Sequence, residues 1–496
     1  MPTNFNETLK TKFVENFIRN ISNTTISYYV GFGKNVPWDD DESPPNSNNS
    51  IESFQYNVQR DLLFGKKITA SDAAFVIRKI QWLGGFVYDQ YDHTDKNLYY
   101  KNYYVINSSN RVYKCLFNNY GAKSTIMPEG NNTGDFDTGD GYKWKYIYTV
   151  TSNLENKFGT NDYMAVVDEK NVISSAEHGA IHVCLVSNKG SNYISANGQI
   201  DEIVDNRTFK VPNTVTTSVV GAYNNSVFYA GGDPKISSSI IENYIANSSG
   251  RYVVTVDPIT HIENNRFDIS PQVKFTGDGQ DAFAISIVEP LHGEITGIHM
   301  ISRGTGYNYC TTEIIANSFF GSAATSYPVI SPKDGHGANN IYELGCKTLG
   351  IAIVTNPSDE FYDWVSYRQT SLLYNPKSVL NGTIYKNNTF IQLTALTITS
   401  FSNYFTEGEI VRGNISGAYG TFVYMTDTKV FLKDTNGTFV PSDTISGDDS
   451  LEIALVLSIN NQDIVPYSAD VLYYKNFEPI NRQGITTEQV KLYFSI

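Results

Sequence analysis

Charge is sparse in this sequence. Charged residues are 18% of its 496 positions, against roughly 25% in an average soluble protein. No long run of Lys or Arg offsets the acidic excess, and the formal net charge is −14. A nucleic-acid binder needs a basic stripe to neutralise phosphates, so that class is excluded and no nucleic-acid partner is expected. Cysteine is scarce as well. Cys115, Cys184, Cys310 and Cys346 are widely spaced, with no CxxC pair for zinc and no dense disulfide framework. Reduced, buried thiols are expected. No stretch of 18 apolar residues occurs, so membrane insertion is not expected. Residues 1–19 lack a basic region followed by an apolar core, which points to synthesis in a cytoplasm. The Asn-x-Ser/Thr triplets at Asn20, Asn131, Asn247 and Asn414 then read as loop residues rather than glycan acceptors.

What the chain does have is length and aromatic side chains. Its 496 residues should hold two to four domains. Aromatics reach 13%, led by 35 Tyr and 27 Phe, which excludes disorder. Helix signals are few. From Glu7 to Ile21 the residues Leu9, Phe13, Phe17 and Ile21 recur every four positions and define one amphipathic helix. A second helix is predicted from Ser71 to Ile80, where Ser71 and Asp72 can cap and Ala73, Ala74, Val76, Ile77 and Ile80 follow, with Gly84-Gly85 marking its end. Most of the rest alternates short runs of Tyr, Val, Ile, Thr and Phe with Gly, Asn, Asp and Ser turns. Strands are predicted at 99–106, 112–117, 144–149, 163–167, 181–186, 252–256, 283–288 and 410–412. The fold class is mostly β: multidomain, with antiparallel β-sandwich-like domains and a short N-terminal helix. Two strings echo each other, VCLVSNKGSNY (183–193) and IHMISRGTGY (298–307), each a strand, a basic residue, a Gly turn and a Tyr. Two copies make a duplicated hairpin-like element rather than a solenoid. Residues 197–340, rich in Gly, Ser and Asn, and 389–458, a strand-turn-strand alternation, read as inserted β domains.

Candidate chemistry is weak. Asp135, Asp137 and Asp140-Gly141 in GDFDTGDGY form an acidic loop, but the third acid comes one position late for a calcium loop and no Glu stands twelfth. An Asp/Gly turn leading into the strand at Trp144 is the simpler expectation. Gly65-Lys66-Lys67 lacks the flanking Gly and Ser/Thr of a phosphate loop, and Gly31-Phe32-Gly33 lacks the third Gly of a dinucleotide fingerprint. Ser416 in GNISGAYG misses the nucleophile-elbow pattern by one residue. The seven histidines, His93, His178, His182, His261, His292, His299 and His336, are scattered. His178 and His182 are four apart, but the β-like run that follows argues against a shared helix face for a metal. His178 and His336, each followed by Gly, are expected in tight turns with locally bonded imidazoles. No base, orienting partner and electrophile assemble, so no catalytic residue, cofactor or metal is expected and the chain is not read as an enzyme. Asp39-Asp40-Asp41-Glu42 beside Pro44-Pro45 reads as a solvated loop. The tyrosines between Tyr88 and Val105 exceed what a core needs. They fit either an assembly surface or an edge strand covered on both faces.

Several strings occur in a telling order. The first is TISYYVGFGKNVPWDDDESPP, with Phe32, Gly33, Pro37 and Trp38. VYKCLFNN, MPEG and GDGYKWKYIYTV follow, with Tyr113, Cys115, Pro128, Glu129, Gly130, Gly139, Asp140, Gly141, Tyr142 and Trp144. YRQTSLLYNPK carries Arg368, Gln369, Asn375 and Pro376, and DVLYYKNFEPINRQGITTEQVKLYFSI carries Tyr473, Asn476, Pro479, Thr487 and Glu488. The ordered set resembles the baseplate wedge subunit of T4-like contractile-tailed bacteriophages, the subunit that joins the wedge as a dimer. The resemblance implies a discontinuous β core of residues 1–175, 341–385 and 466–496, with inserted β domains at 176–340 and 386–465 that are longer than the family leads one to expect. It implies a structural virion protein of the tail baseplate, made and assembled in the bacterial host cytoplasm, without catalysis or cofactor. The partners implied are a second copy, as a homodimer, and neighbouring wedge subunits, with contacts that transmit a rearrangement when the tail contracts. Those contacts are expected to bury on the order of 2,000 Å² or more. The alternative is a carbohydrate-binding tail adhesin or fibre-associated protein with glycan contact by the inserted domains. Glycan hydrolysis needs a positioned carboxylate pair, and no two of the 51 acidic residues stand out.

Overall fold

The computed structural model describes residues 6–316, 320–356, 359, 361, 365–399, 401–480, 482 and 487–495. Strand far outweighs helix, and the strand pairs that build the sheets run antiparallel. The chain folds as two compact units, Met1–Val76 with Lys347–Ile496, and Ile77–Cys346. This division puts residues 77–175 with 176–340 rather than with the chain ends. The physical reason is that the strand Ile181–Asn188 packs on the strand Arg111–Phe117, and Glu343 closes an ion pair on Lys114. Among the described residues no helix is long and apolar enough to cross a membrane.

The discontinuous unit begins with the helix Glu7–Ile21. The Asn6 side chain caps it by accepting from the Thr8 N–H at 2.9 Å, with Glu7 in the first turn and Arg19 in the last. The buried face takes in only the C-terminal half of the predicted stripe. Val14 and Thr11 are buried, Phe17, Ile18 and Ile21 pack against the core, and Leu9 and Phe13 are exposed. A strict spacing of four advances about 40° beyond each full turn, so the stripe winds off the contact face. Leu9→Gln is therefore expected to change stability by less than about 0.5 kcal/mol, whereas Val14→Asp buries an unpaired carboxylate and should cost several-fold more. Thermal unfolding of the two variants checks this contrast.

The second predicted helix is a strand, Ala73–Arg78. Thr69 and Asp72 form a capping box, but it closes only the one-turn 3₁₀ segment Ala70–Asp72. Beyond it Ala73 pairs with Ile351 and Val76 with Thr348 on the strand Thr348–Thr355, which pairs in turn with Glu488–Ser495. Pairing to a distant strand outweighs the local helix pattern, aided by the stiff Val76-Ile77 pair. A five-stranded sheet orders Thr389–Ile391, Leu62–Lys67, Tyr28–Gly33, Tyr367–Tyr374 and Asp470–Ile480. Gly65-Lys66-Lys67 thus lies in a strand. The stretch within the second expected insert closes into a six-stranded barrel around Leu396, Val411, Phe422, Leu432, Ile445 and Val456. Its strand Ile453–Asn460 buries Ala454 and Val456 and leaves Ile453, Leu455 and Leu457 exposed in an outward apolar row.

The unit Ile77–Cys346 carries a four-stranded sheet in the order Tyr104–Ile106, Arg111–Phe117, Lys143–Thr149 and Asp135–Asp137. The tyrosine-rich segment Tyr88 to Val105 enters the edge strand of this sheet only at Tyr104, and its exposed tyrosines do not form a continuous surface. Tyr88, Tyr91, Tyr103 and Tyr104 are buried, and Leu98–Tyr100 is a 3₁₀ turn that exposes Tyr99 and Tyr100. A seven-stranded sheet runs Ala196–Gln199, Arg266–Ser270, Val227–Tyr229, Ser238–Asn247, Gly250–Thr255, Thr208–Val211 and Glu202–Ile203, around Phe209, Phe228, Tyr244 and Phe267. The four thiols are free, but Cys310 is only partly buried. Two of the Asn triplets also depart from loops: Asn20 lies in the first helix and Asn247 ends a strand.

The sequence echo is a structural duplication. The strand Ile181–Asn188 pairs with Thr325–Ile330 as Ile295–Thr305 pairs with Gln280–Val288. Each copy ends in a buried Tyr, Tyr193 or Tyr307. The copies lock reciprocally. The N–H groups of Asn192 and Tyr193 donate to His292 and Gly293 at 3.0 and 2.9 Å, while those of Gly306 and Tyr307 donate to His178 and Gly179 at 2.8 and 3.4 Å. The repeat thus extends back to His178-Gly179 and His292-Gly293.

Candidate functional site

Residues named at the two chain ends meet in the five-stranded sheet and the loops beside it, while Glu488 begins a strand of a second sheet. Phe32 stacks on Phe64 with ring centroids 5.2 Å apart and meets Tyr367 edge-on at 5.0 Å. In the neighbouring strand Gly33 pairs with Gln369, and Gln369 pairs with Asn476 on the next. The Gln369 side chain donates to Asn476 Oδ1 at 2.8 Å, and Asn476 Nδ2 donates to the Pro45 carbonyl at 2.9 Å. Arg368 is buried and forks onto Asp41 with Nε and Nη2 at 2.7 Å each, while Nη1 donates to the Asn35 carbonyl. Asp41 therefore leaves the solvated loop expected for the 39–42 acids, and the guanidinium bond holds its carboxyl below the usual range. Trp38, after Pro37, donates its indole N–H to the Phe477 carbonyl at 3.2 Å. Asn375 accepts from the Ser27 N–H at 2.8 Å, and the Pro376 carbonyl accepts from Tyr385. Tyr473 meets Phe494 edge-on, and Glu488 accepts from Arg482 at 2.8 Å. Pro479 lies in the strand Asp470–Ile480. These side chains are spent on holding the sheet and its flanking loops together. Arg368→Met should lower the melting temperature, read by calorimetry, because Asp41 and the Asn35 carbonyl lose their buried donor.

The middle strings build the other unit. Cys115 pairs with Trp144 across two strands, and Trp144 stacks on Tyr142. The Pro128 carbonyl accepts from Asn107, the Gly130 carbonyl accepts from the Tyr113 hydroxyl, and Glu129 between them is exposed. In the turn holding Gly139 and Gly141, Asp140 accepts from the N–H groups of Thr125 and Ile126 at 2.7 and 3.0 Å and from the Thr138 hydroxyl at 2.5 Å. Although burial works against ionisation, these donors hold its carboxyl below the usual range. Its oxygens organise the Asp/Gly turn rather than face outward, and among the described residues no group of three His, Cys, Asp or Glu is arranged to hold a metal.

Sequence reasoning missed the most unusual feature, a buried ionic row on the opposite face of that sheet. Lys114, Lys145 and Asp135 lie side by side on three adjacent strands, because Lys114 pairs with Lys145 and Lys145 with Asp135. Neighbours on these strands alternate, so Cys115 and Trp144 enter the apolar core while the lysines face the other way. Lys114 is fully buried and donates to Glu343 Oε1 at 2.6 Å and His336 Nδ1 at 2.9 Å, with its ammonium 3.4 Å from the Tyr91 ring centroid. Burial pushes Lys114 down to about 8, opposed by Glu343. Burial also works against Glu343 ionising, yet the Lys114 ammonium above all brings it down to about 2. An ammonium only donates, so His336 Nδ1 accepts and its proton sits on Nε2. Burial, reinforced by Lys114, holds this imidazole neutral, well below its ordinary value.

Asp135 is shared. His182 Nδ1 lies 3.1 Å away, Lys143 lies 3.4 Å away, and Arg303 closes a third ion pair. Burial opposes its charge, but the His182 bond and the cations hold its carboxyl far down. His182 is depressed by burial despite Asp135. Neither His178 nor His336 bonds locally as expected: His178 Nδ1 accepts from the distant Asp334 N–H at 3.1 Å, and His336 reaches Lys114. This row opens onto a polar cleft of 1060 Å³ lined by Asp135, Asp137, Lys143, His182, Arg303 and the exposed Tyr120. The signal that could have exposed the row is a lysine centred in each of two apolar strands, VYKCLF and KWKYIY.

No protein-family model matches this chain, and no curated protein matches its sequence.

Proposed function

We propose that this chain is a structural protein of a contractile phage tail, a dimeric wedge component of the baseplate that binds neighbouring wedge subunits and passes on their rearrangement during contraction. One observation carries the reading. Strings far apart in the chain, each resembling the same wedge subunit, lie on the adjacent strands Tyr28–Gly33, Tyr367–Tyr374 and Asp470–Ile480. Their polar side chains bond one another rather than face a substrate. The outward apolar row of Ile453, Leu455 and Leu457 suits a chain that works covered by partners.

Quantitative mass spectrometry of a contractile-tailed particle encoded beside this gene tests the reading. Two copies of the chain per wedge are expected, with a dimer in sedimentation. A monomer that binds no wedge subunit at micromolar concentration overturns it. The competing adhesin reading draws on Tyr120 and Asp137, exposed residues in the lining of the polar cleft. The full chain on a glycan array separates the two: silence is expected for a wedge component, and saturable sugar binding favours the adhesin.

A further inference from the structure

Behind the ionic row lies a second, smaller cavity of 240 Å³, walled by Lys145, Arg303, His182, His336 and Glu177. Lys145 is 3% exposed. Its ammonium carries three donors, and among the described residues its one hydrogen-bond acceptor is the Thr133 carbonyl, at 2.5 Å. No carboxylate of the described residues forms an ion pair with it. Asp135, its strand neighbour, already serves Arg303, Lys143 and His182. A buried cation with unspent donors is costly unless something charged and accepting meets it.

We propose that this cavity binds a small oxyanion of the phosphate or sulfate type. Lys145 supplies the charge from inside. Arg303 has five N–H donors, and Asp135 leaves some of them for a second acceptor. His336 carries its proton on Nε2, since Nδ1 accepts from Lys114. These groups come from the strand Lys143–Thr149, the strand Ile295–Thr305 and the turn before Glu343, so they approach from different directions. A tetrahedral anion presents oxygens to all of them, which a water satisfies in hydrogen bonding but not in charge. Glu177 is the remaining carboxylate of the wall and is exposed. It weakens the site by repulsion and stands where solvent enters.

The test uses the full chain in chloride buffer, titrated with inorganic phosphate and then sulfate at constant ionic strength, read by calorimetry and by melting temperature. Saturable binding of one anion per chain is expected, with a melting temperature that climbs with anion concentration. Lys145→Gln should weaken binding about tenfold or more, and Glu177→Gln should tighten it several-fold. Absence of a saturable heat overturns the proposal, as does unchanged affinity in a folded Lys145→Gln. If that variant does not fold, Glu177→Gln decides: tighter binding sustains the site, and unchanged or weaker binding overturns it.

Discussion

Glu343→Ala is expected to destabilise the protein by about 3–5 kcal/mol, because it strands the fully buried Lys114 ammonium without its counter-charge. The Gly337 N–H, which donates to Glu343 at 2.6 Å, loses its acceptor at the same time. The double variant Lys114→Met/Glu343→Leu should recover most of that loss, since a well-packed apolar pair avoids the desolvation of both charges. Urea unfolding of the three proteins measures the coupling. A single variant within about 1 kcal/mol of the native chain would mean that the pair is not formed in solution.

Acid sensitivity follows from the same cluster. His336 and His182 are held neutral, below their ordinary value of 6.5, so the unfolded chain binds their protons first as pH falls. Stability is therefore fully present above about pH 6.5 and declines below it, by up to about 1.4 kcal/mol per pH unit for each group. Glu343 extends the decline: its stabilisation is present above 4.5 and is lost as pH falls from 4.5 towards about 2. His336→Asn should make the decline below pH 6.5 shallower without moving its start, because His182 still titrates there, a change that urea unfolding across pH reads.

Gly190→Ala and Gly304→Ala are expected to cost about 2–5 kcal/mol each, and by similar amounts. Both glycines have positive φ, +59° and +62°. A Cβ on Gly190 would fall closer than 3.0 Å to the backbone of Ser322 and Ala324, and one on Gly304 equally close to Gln280 and Ala282. In each copy the following Tyr ring blocks the remaining side. Equal losses in thermal unfolding would mark the two turns as one device used twice. A harmless substitution at either position would contradict the described turn.

The sequence carried these turns because Gly, Tyr and a basic residue recur at fixed spacing, and it carried the first helix through its apolar periodicity. It carried the Asp140 turn through composition alone. It failed where long-range pairing decides. Ala73–Arg78 reads as a helix until Thr348–Thr355 supplies its partner. The boundary at Val76 is hidden because the packing of Ile181–Asn188 on Arg111–Phe117 joins segments that composition separates. For the ionic row the sequence shows the two strand-centred lysines but not their partners. Glu343 looks like an ordinary surface charge, and only the fold brings it to the buried Lys114.

The chain's discontinuity also sets a schedule for its synthesis. Tyr28–Gly33 and Leu62–Lys67 leave the ribosome early, yet the free side of Tyr28–Gly33 belongs to Tyr367–Tyr374. At a ribosome's pace of some 5–20 residues per second, that partner arrives on the order of 20–60 s later. Until then an almost wholly apolar strand edge stands open in a crowded cell, while the intervening 77–346 segment has time to fold as its own unit. A nascent chain paused before Tyr367 is thus the form of this protein most exposed to chaperones and to clumping with its neighbours on the same messenger.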